Sequence, residues 1–143
     1  MTKGNDSLRV KRAATGLGLF AVQTIAARQP IVEFTGRLIT SEERYRKGGK
    51  YLFELDKHWA IDGRSRSNLA RYINHSCRPN AIAYITGQRI WIWSRRAIQA
   101  GEEITLNYGK EYFDQYIEPV GCKCQSCALR SSKPPQKAAF KGK

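Results

Sequence analysis

The chain has no long apolar segment. None of its stretches approaches the ~20 consecutive apolar residues of a membrane-spanning helix. The basic N-terminus, MTKGNDSLRVKR, lacks the apolar core of a secretory signal. No internal repeat is present in the sequence. At 143 residues, these features predict one intracellular, soluble domain with no membrane partner.

Acidic residues are scarce and unevenly placed. The 12 Asp and Glu residues are outnumbered by 25 Lys and Arg, which gives a net charge of +13. Basic residues crowd both ends, with six in residues 123–143 and no acid there. Between the ends, an acidic stretch contains Glu102, Glu103, Glu111, Asp114 and Glu118. This pattern predicts a cationic partner for the middle. It predicts non-specific nucleic-acid contact for the ends, unless their charge only keeps the chain soluble.

Short alternating segments predict a mainly β chain with few short helices. We expect strands near Leu8–Val10 and in TGLGLFAV, YLFELD, WAID, AIAYI and RIWIWS, and a strand region in IVEFTGRLIT that is interrupted at Gly36. The last two should form a hairpin around Thr86–Gly87, and AGEEITLNYG should give a strand that ends at Tyr108. A helix should begin at Thr40–Ser41 and end before Gly48.

Three further segments carry weaker local signals. Asn68 is expected to cap a short helix over NLARYI, and KEYFDQYI is expected to form a helical turn. The last residues, 131–143, hold two adjacent prolines and four lysines with little to bury. This composition predicts a basic disordered tail.

Cysteine and histidine are rare. The chain has four cysteines and two histidines. Cys122, Cys124 and Cys127 form a C-x-C-x-x-C cluster, and Cys77 lies far upstream. Four thiols in an intracellular chain fit a tetrahedral thiolate site for one structural Zn²⁺, which would pin the C-terminal segment against residues 74–80. Disulfides are disfavoured without an export signal, and buried thiols without a metal are the third interpretation.

One segment, RYINHSCRPNA at residues 71–81, combines Arg, Tyr, Asn, His and Cys side by side. Around it, in sequence order, lie GLGLFA at 16–21, YLF at 51–53, IDG at 61–63, NLARYINHSC with PN at 68–80, GEEITLNYG at 101–109 and the cysteine cluster. Together these motifs resemble the SET-domain protein-lysine methyltransferases over about residues 8–129. The pairing of NHSC with GEEITLNY is the most specific part of the resemblance.

The resemblance implies a SET-type β-clip fold, in which those two stretches pass through one another as a pseudoknot and build the active site. It implies a basic N-terminal lead at 1–7, the SET domain at 8–117, a post-SET zinc segment at 118–130 and the basic tail at 131–143. It also implies methyl transfer from S-adenosylmethionine to a lysine ε-amine in a protein. Cofactor and peptide would enter from opposite faces and meet through a narrow channel.

The resemblance also assigns roles to residues. Tyr108 would be catalytic, orienting the neutral amine of a lysine, and Tyr51 would be the second channel tyrosine. Asn74 would bind the amino-acid end of the cofactor, the His75 backbone its adenine edge, and Leu129 would cover the adenine. The complete expected cofactor-binding set is Gly16, Leu17, Gly18, Leu19, Arg71, Asn74, His75, Tyr108 and Leu129. Taken alone, the glycine stretch also fits a tight turn, Asn74–His75 a satisfied core network, and Tyr51 an ordinary strand aromatic.

The sequence departs from the family pattern at three places. Leu106 and Ala83 stand where the family often has aromatics, which predicts room for more than one methyl group. Only two residues, Gln125 and Ser126, separate the last two cysteines, which predicts a tight zinc loop.

Asp62, Glu102 and Glu103 are expected to order the pseudoknot or to contact a basic substrate.

These observations predict an S-adenosylmethionine-dependent protein-lysine methyltransferase with one structural zinc. Its expected substrate is a histone or a histone-like chromatin or nucleoid protein, so the chain is expected at chromatin in a nucleus or at a nucleoid. One alternative is a methyltransferase of another target, such as a ribosomal protein. A second alternative is a zinc-stapled nucleic-acid-binding protein without the activity, which cofactor binding would distinguish.

Overall fold

A computed structural model describes residues 7–49, 51–109, 117, 121, 122 and 124. In this part of the chain, short strands predominate and helices are few, so the predicted mainly β fold is confirmed. The strands are β1 Leu8–Ala13, β2 Gly16–Ala21, β3 Pro30–Phe34, β4 Arg37–Thr40, β5 Leu52–Glu54, β6 Trp59–Asp62, β7 Asn74–His75, β8 Ala81–Thr86, β9 Arg89–Ser94 and β10 Thr105–Leu106. The helices are α1, Ser41–Lys47, and a 3₁₀-helix, Leu69–Tyr72. None of the helices in the described ranges is long and apolar enough to cross a membrane.

The strands form four small sheets. The antiparallel hairpin β1–β2 is one, and the orders β3–β9–β8 and β4–β6–β5 give two antiparallel three-stranded sheets. The fourth sheet is a parallel pair, β7 with β10. The core lies between the sheets and the 3₁₀-helix, and its fully buried side chains include Leu19, Ile90, Ile92, Ile98 and Ile104.

Helix α1 forms as the local signals predict. The Thr40 side chain accepts a hydrogen bond from the Glu43 amide at 3.1 Å, which satisfies one of the amides that a helix start leaves unpaired. At the other end, the Gly48 amide donates to the Arg44 carbonyl, and Gly48 adopts a φ of 63°, which favours glycine. The predicted hairpin is also confirmed, with β8 ending at Thr86 and β9 beginning at Arg89.

The prediction that Asn68 caps the short helix is wrong. Asn68 precedes the 3₁₀-helix, but its side chain makes no capping hydrogen bond. Its Oδ1 accepts from the Thr35 amide at 3.0 Å and its Nδ2 donates to the Gly63 carbonyl at 2.9 Å. Because the residue is buried, with 1% of its surface exposed, it serves instead as a polar link between two loops.

The strand region IVEFTGRLIT is interrupted at Gly36, as predicted, and its two parts, β3 and β4, belong to different sheets. One strand prediction needs correction. The strand expected to end at Tyr108 stops at Leu106. The Tyr108 amide leaves the strand ladder because it donates to a histidine side chain instead. The helical turn predicted for KEYFDQYI lies outside the described residues except for Ile117, and the predicted lead and tail also lie outside them.

Gly36 offers a test of the packing between the β3–β4 connection and the end of β6. A Cβ atom at this position would lie 2.0 Å from the backbone oxygen of Asp62, which cannot swing aside as a side chain can. We expect Gly36→Ala to lower the free energy of unfolding by about 3 kcal/mol in urea denaturation. Gly87→Ala is the control, because its Cβ meets no atom within 4 Å and only the left-handed backbone is penalised, by about 1 kcal/mol. Equal losses in the two variants would contradict the packing described.

Candidate active site

The two most specific sequence motifs meet at the parallel pair of β7 and β10. Thr105 lies beside Asn74 and Leu106 beside His75. The Ser76 amide continues the contact by donating to the Leu106 carbonyl at 2.8 Å. This pairing joins residues about 30 positions apart and places Asn74, His75 and Tyr108 in one region of the molecule.

Asn74 connects this region to Gly16–Leu19, the first residues of β2, which follow the β1–β2 turn and are called the glycine turn below. Its Nδ2 donates to the Leu17 carbonyl at 2.9 Å and to Glu103 Oε2 at 2.8 Å. The two acceptors fix the orientation of the amide, so that Oδ1 faces away from both. No donor in the described part of the chain bonds to Oδ1, which leaves an acceptor directed at whatever binds there.

The four residues of the glycine turn differ in their surroundings. Gly16 has a φ of 124° and open space where a Cβ would be, and Leu17 is 52% exposed. At Gly18 a Cβ would lie 2.5 Å from Glu103 Oε2, so the glutamate side chain would have to shift to admit a larger residue. The Leu19 side chain is fully buried in the core. A ligand at this turn therefore meets Gly16 and the exposed Leu17 first, whereas Leu19 can offer it only backbone.

A cavity of about 750 Å³ opens beside β10. Its wall contains both predicted catalytic tyrosines, Tyr51 and Tyr108, and it also contains Leu106 and Ala83. Gly16–Leu19 and Asn74 are not among its lining residues. The described residues thus form two separate surfaces, one at the glycine turn and one in the cavity.

Tyr108 lines the cavity and is bonded to His75, the neighbour of Asn74 on β7. Its amide donates to His75 Nδ1 at 3.0 Å, and the rings of Tyr108 and His75 meet edge-on with centroids 5.4 Å apart. Its hydroxyl lies in contact with the Ile73 carbonyl and donates to it. A hydroxyl that donates to a carbonyl retains lone pairs that can accept an N–H from an amine in the cavity.

Arg71 lies in the cavity wall with the tyrosines. Its guanidinium carbon is 4.3 Å above the centre of the Tyr51 ring and 5.0 Å from that of Tyr72. This is cation–π geometry, which orders the Tyr51 ring. The Nε atom of Arg71 is buried, and among the described residues no acceptor reaches it. A buried donor of this kind is costly unless a bound group satisfies it.

The third group of interest lies beside His75 and consists of the thiols of Cys77, Cys122 and Cys124, called the cysteine cluster from here on. His75 Nε2 is 3.4 Å from Cys77 Sγ, and the sulfurs of Cys77 and Cys122 are 3.9 Å apart. The Cys77 amide donates to Cys124 Sγ at 3.5 Å. The atoms of His75, Cys77 and Cys122 lie within 4.8 Å of one another, close enough to hold a metal ion.

The spacing of these atoms fits a zinc site. Two thiolates at the zinc–sulfur distance, in tetrahedral geometry, lie about 3.8 Å apart, and the Cys77–Cys122 separation is 3.9 Å. That separation is nearly twice the length of a disulfide bond, about 2.04 Å, so these two sulfurs are not bonded to each other. Burial lowers the pKa of His75 and favours the neutral imidazole. Because Nδ1 accepts the Tyr108 amide, the proton of the neutral ring lies on Nε2, which makes His75 a donor to a thiolate rather than a ligand.

The three singled-out acidic residues of the described part are engaged within the fold. Glu102 pairs with Arg96 at 2.7 Å, and this hydrogen bond lowers the pKa of Glu102. Glu103 accepts from Asn74, and Asp62 pairs with Lys47 and Arg64. Burial raises the pKa of Asp62, but the hydrogen bonds from Lys47 and Arg64 outweigh it and lower the pKa overall. Glu102, Glu103 and Asp62 do not line the cavity, so they fit the predicted ordering role better than substrate contact.

Several predicted residues lie outside the described part of the chain: Cys127, Leu129, Glu111, Asp114 and Glu118. Other residues of the site had been given no role by their sequence alone. Ile73 contributes only a carbonyl, and Asn80 is buried and bonds to both the Glu103 carbonyl and the Thr105 amide. The Pro79–Asn80 pair within the motif was the one signal for Asn80.

Comparison with known proteins identifies the family. The family model described as SET domain matches residues 16–109. The chain is 40% identical to histone-lysine N-methyltransferase set-2 of Caenorhabditis elegans, over 78% of this chain and 8% of that protein. It is 38% identical to the histone-lysine N-methyltransferase, H3 lysine-4 specific, of Saccharomyces cerevisiae, over 75% of this chain and 11% of the relative. It is 36% identical to histone-lysine N-methyltransferase trithorax of Drosophila virilis, over 78% of this chain and 3% of that protein.

These relatives are much longer proteins. The chain spans about a tenth or less of the length of the three just named. The residues that the family model matches contain the glycine turn, the cavity tyrosines and the β7–β10 pair. The resemblance predicted from the motifs is thereby confirmed, and the chain belongs to the SET-domain family.

Proposed function

We propose that the protein is an S-adenosylmethionine-dependent protein-lysine methyltransferase. The observation that carries the proposal is the position of Tyr108. Its side chain lines a cavity with Tyr51, and its backbone is bonded to His75, next to the Asn74–Leu17 contact. One residue therefore connects a surface suited to a cofactor with a cavity suited to a side chain.

The cofactor surface is assigned to the glycine turn and β7. When bound, S-adenosylmethionine supplies a methyl group on a positively charged sulfur. Gly16 and Leu17 offer an open, exposed backbone, and Asn74 Oδ1 offers an acceptor for an ammonium group. Arg71 is also assigned to the cofactor, from its place in the cavity wall, where its buried Nε offers a donor for a carboxylate. The remaining assigned contacts are the backbones of Gly18, Leu19, His75 and Tyr108 and the side chain of Leu129.

The cavity is assigned to the target lysine. A lysine amine must lose its proton before its lone pair can attack, and a cavity that excludes water favours the neutral form. The Tyr108 hydroxyl donates to Ile73 and can accept an N–H of the amine, which turns the lone pair toward the cofactor side. Tyr51, ordered by Arg71, would form the opposite wall of the channel.

One zinc ion is assigned to Cys77, Cys122, Cys124 and Cys127. Four thiolates fill a tetrahedral site, so the ion would be structural. It would fasten the segment after residue 117 to the strand that carries Asn74 and His75. The sulfur spacing and the Cys77 amide bond to Cys124 support this assignment.

The proposed substrate is a lysine in a histone or a similarly basic chromatin or nucleoid protein. The names of the relatives are the support, because each describes a histone-lysine methyltransferase. This assignment also places the protein at chromatin. The basic termini could contact nucleic acid near the substrate through its phosphates, in a salt-sensitive and sequence-independent manner. A ribosomal protein is the alternative substrate.

The side chains near Tyr108 predict the number of methyl groups transferred. Leu106 and Ala83 both line the cavity and leave more room than aromatic residues would. We expect the wild type to add more than one methyl group and Leu106→Phe to shift the product toward monomethyl-lysine, measured by mass spectrometry of the modified substrate. Leu38→Phe is the matched control, because Leu38 is partly exposed and outside the cavity wall. An unchanged product distribution in Leu106→Phe would show that Leu106 does not limit the channel.

The experiment that tests the function is transfer of radiolabel from S-adenosylmethionine to a panel of histones, nucleoid proteins and ribosomal proteins. Label on one class of basic protein would support the proposal and identify the substrate class. Cofactor binding by calorimetry is measured beside it. A chain that binds no cofactor and labels no protein would contradict the proposal and favour a nucleic-acid-binding role.

A further inference from the structure

The imidazole of His75 makes two directional contacts that the proposed mechanism does not use. The Tyr108 amide can only donate, so the Nδ1 atom that it meets at 3.0 Å must accept. A ring nitrogen that accepts carries no proton, and in neutral histidine the proton then lies on the other nitrogen. The first contact therefore determines the direction of the second.

The second contact joins His75 to the cysteine cluster. Its Nε2 lies 3.4 Å from Cys77 Sγ, within hydrogen-bond range for sulfur. With the proton on Nε2, the histidine donates and the sulfur accepts, which is the arrangement that stabilises a thiolate. The same sulfur is 3.9 Å from Cys122 Sγ, and the Cys77 amide reaches Cys124 Sγ. One imidazole thus connects the cysteine cluster to the backbone of the proposed catalytic tyrosine.

This connection matters because Tyr108 lies beyond the sheet. Strand β10 ends at Leu106, so the ladder does not position the backbone of residue 108. The contacts that hold Tyr108 include the His75 bond to its amide, the edge-on contact between the two rings and the hydroxyl bond to Ile73. The first two involve His75.

We propose that His75 is a positioning residue that ties Tyr108 to the cysteine cluster, so that the order of the cluster is transmitted to the active-site tyrosine. The structural part of this inference stands on the two contacts alone. Its kinetic part rests on the proposed function. An enzyme whose cysteine cluster is disrupted is therefore expected to lose turnover even though no cysteine touches the substrate.

Two substitutions separate the two contacts. His75→Asn places an amide oxygen near the position of Nδ1, which can still accept the Tyr108 amide, but it cannot reach Cys77. His75→Gln places an amide nitrogen near the position of Nε2, which can still donate to Cys77, but it offers no acceptor to Tyr108. The other histidine, His58, is exposed, and His58→Gln is the matched control.

The readouts include two that do not depend on activity. Hydrogen exchange of the Tyr108 amide, followed by NMR, reports the first contact. The thiolate-to-metal absorption and the affinity of Co²⁺-substituted protein report the second. We expect His75→Gln to speed exchange about 10-fold or more with cobalt binding unchanged. We expect His75→Asn to keep the amide protected and to weaken cobalt binding about 10-fold, as outer ligands of metal sites do. Turnover should fall about 10-fold in His75→Gln.

The inference is overturned if both variants behave alike in the exchange and cobalt measurements, or if neither differs from wild type. Absence of methyl transfer in the wild-type protein would count against the proposed function alone, because the exchange and cobalt results decide the two contacts without it. Unchanged turnover in His75→Gln, together with lost amide protection, would overturn the positioning role.

Discussion

Tyr108→Phe is expected to reduce methyl transfer by about 100-fold or more while cofactor affinity stays within a few fold of wild type. The substitution removes only the hydroxyl, which donates to the Ile73 carbonyl and lies in the cavity wall. Without it, the amine of the target lysine loses the acceptor that orients its lone pair. The backbone contact to His75 is retained, so the cofactor side of the site should not change. Turnover with saturating substrate and calorimetry with S-adenosylmethionine measure the two parts.

Tyr84→Phe serves as the control for this prediction. Tyr84 lies on β8, is 53% exposed and does not line the cavity, so loss of its hydroxyl should leave turnover unchanged. Comparable turnover in Tyr108→Phe and wild type would remove Tyr108 from its assigned role. A parallel loss of cofactor binding would instead indicate that the hydroxyl supports the cofactor surface.

Cys124→Ser is expected to eliminate bound zinc, from about one ion per chain in the wild type to almost none. Serine offers a hydroxyl that stays protonated near neutral pH, and it cannot replace a thiolate in a four-sulfur site. Cys124 is buried, and its sulfur accepts the Cys77 amide, so the change also disturbs a local hydrogen bond. Structural zinc can contribute on the order of 10 kcal/mol to folding, and the melting temperature should fall accordingly.

Metal analysis of the purified protein and thermal unfolding provide this measurement. Wild-type protein stripped with a chelator and then resupplied with zinc is the control, since it separates loss of the ion from loss of the side chain. Stripped wild type and Cys124→Ser should melt at similar temperatures, and zinc should restore only the wild type. Wild-type protein that takes up no zinc under any condition would show that the cysteines do not form the site.

Local sequence signals predicted the elements that depend on a few adjacent residues. Thr40 and Gly48 lie at the two ends of helix α1, and each makes its capping contact with a residue three or four positions away. The β8–β9 hairpin turns at Gly87. The same reasoning failed for Asn68, because its side chain bonds to the backbone of residues that lie 33 and five positions away. A capping residue and a buried polar link have the same amino-acid type, and only the fold distinguishes them.

The candidate active site likewise has features that the sequence predicted and features that only the fold determines. The motifs identified Tyr51, Tyr108, Asn74 and the cysteines, because the resemblance to the family depends on residue type and order. They could not indicate that the Glu103 side chain packs against Gly18, or that the His75 side chain bonds to the Tyr108 amide across 33 positions. Strand β10 ends at Leu106 for a reason that the motifs also could not show. The Tyr108 amide donates to the His75 side chain and is not available to a strand carbonyl.

The most direct test of the central claim is mass spectrometry of core histones incubated with the purified protein and deuterium-methyl S-adenosylmethionine. Wild-type protein should place labelled methyl groups on a lysine ε-amine, and Tyr108→Phe should leave the same lysine almost unmodified. Transfer to another type of side chain, or equal modification by both proteins, would contradict the assignment of a lysine methyltransferase that acts through Tyr108.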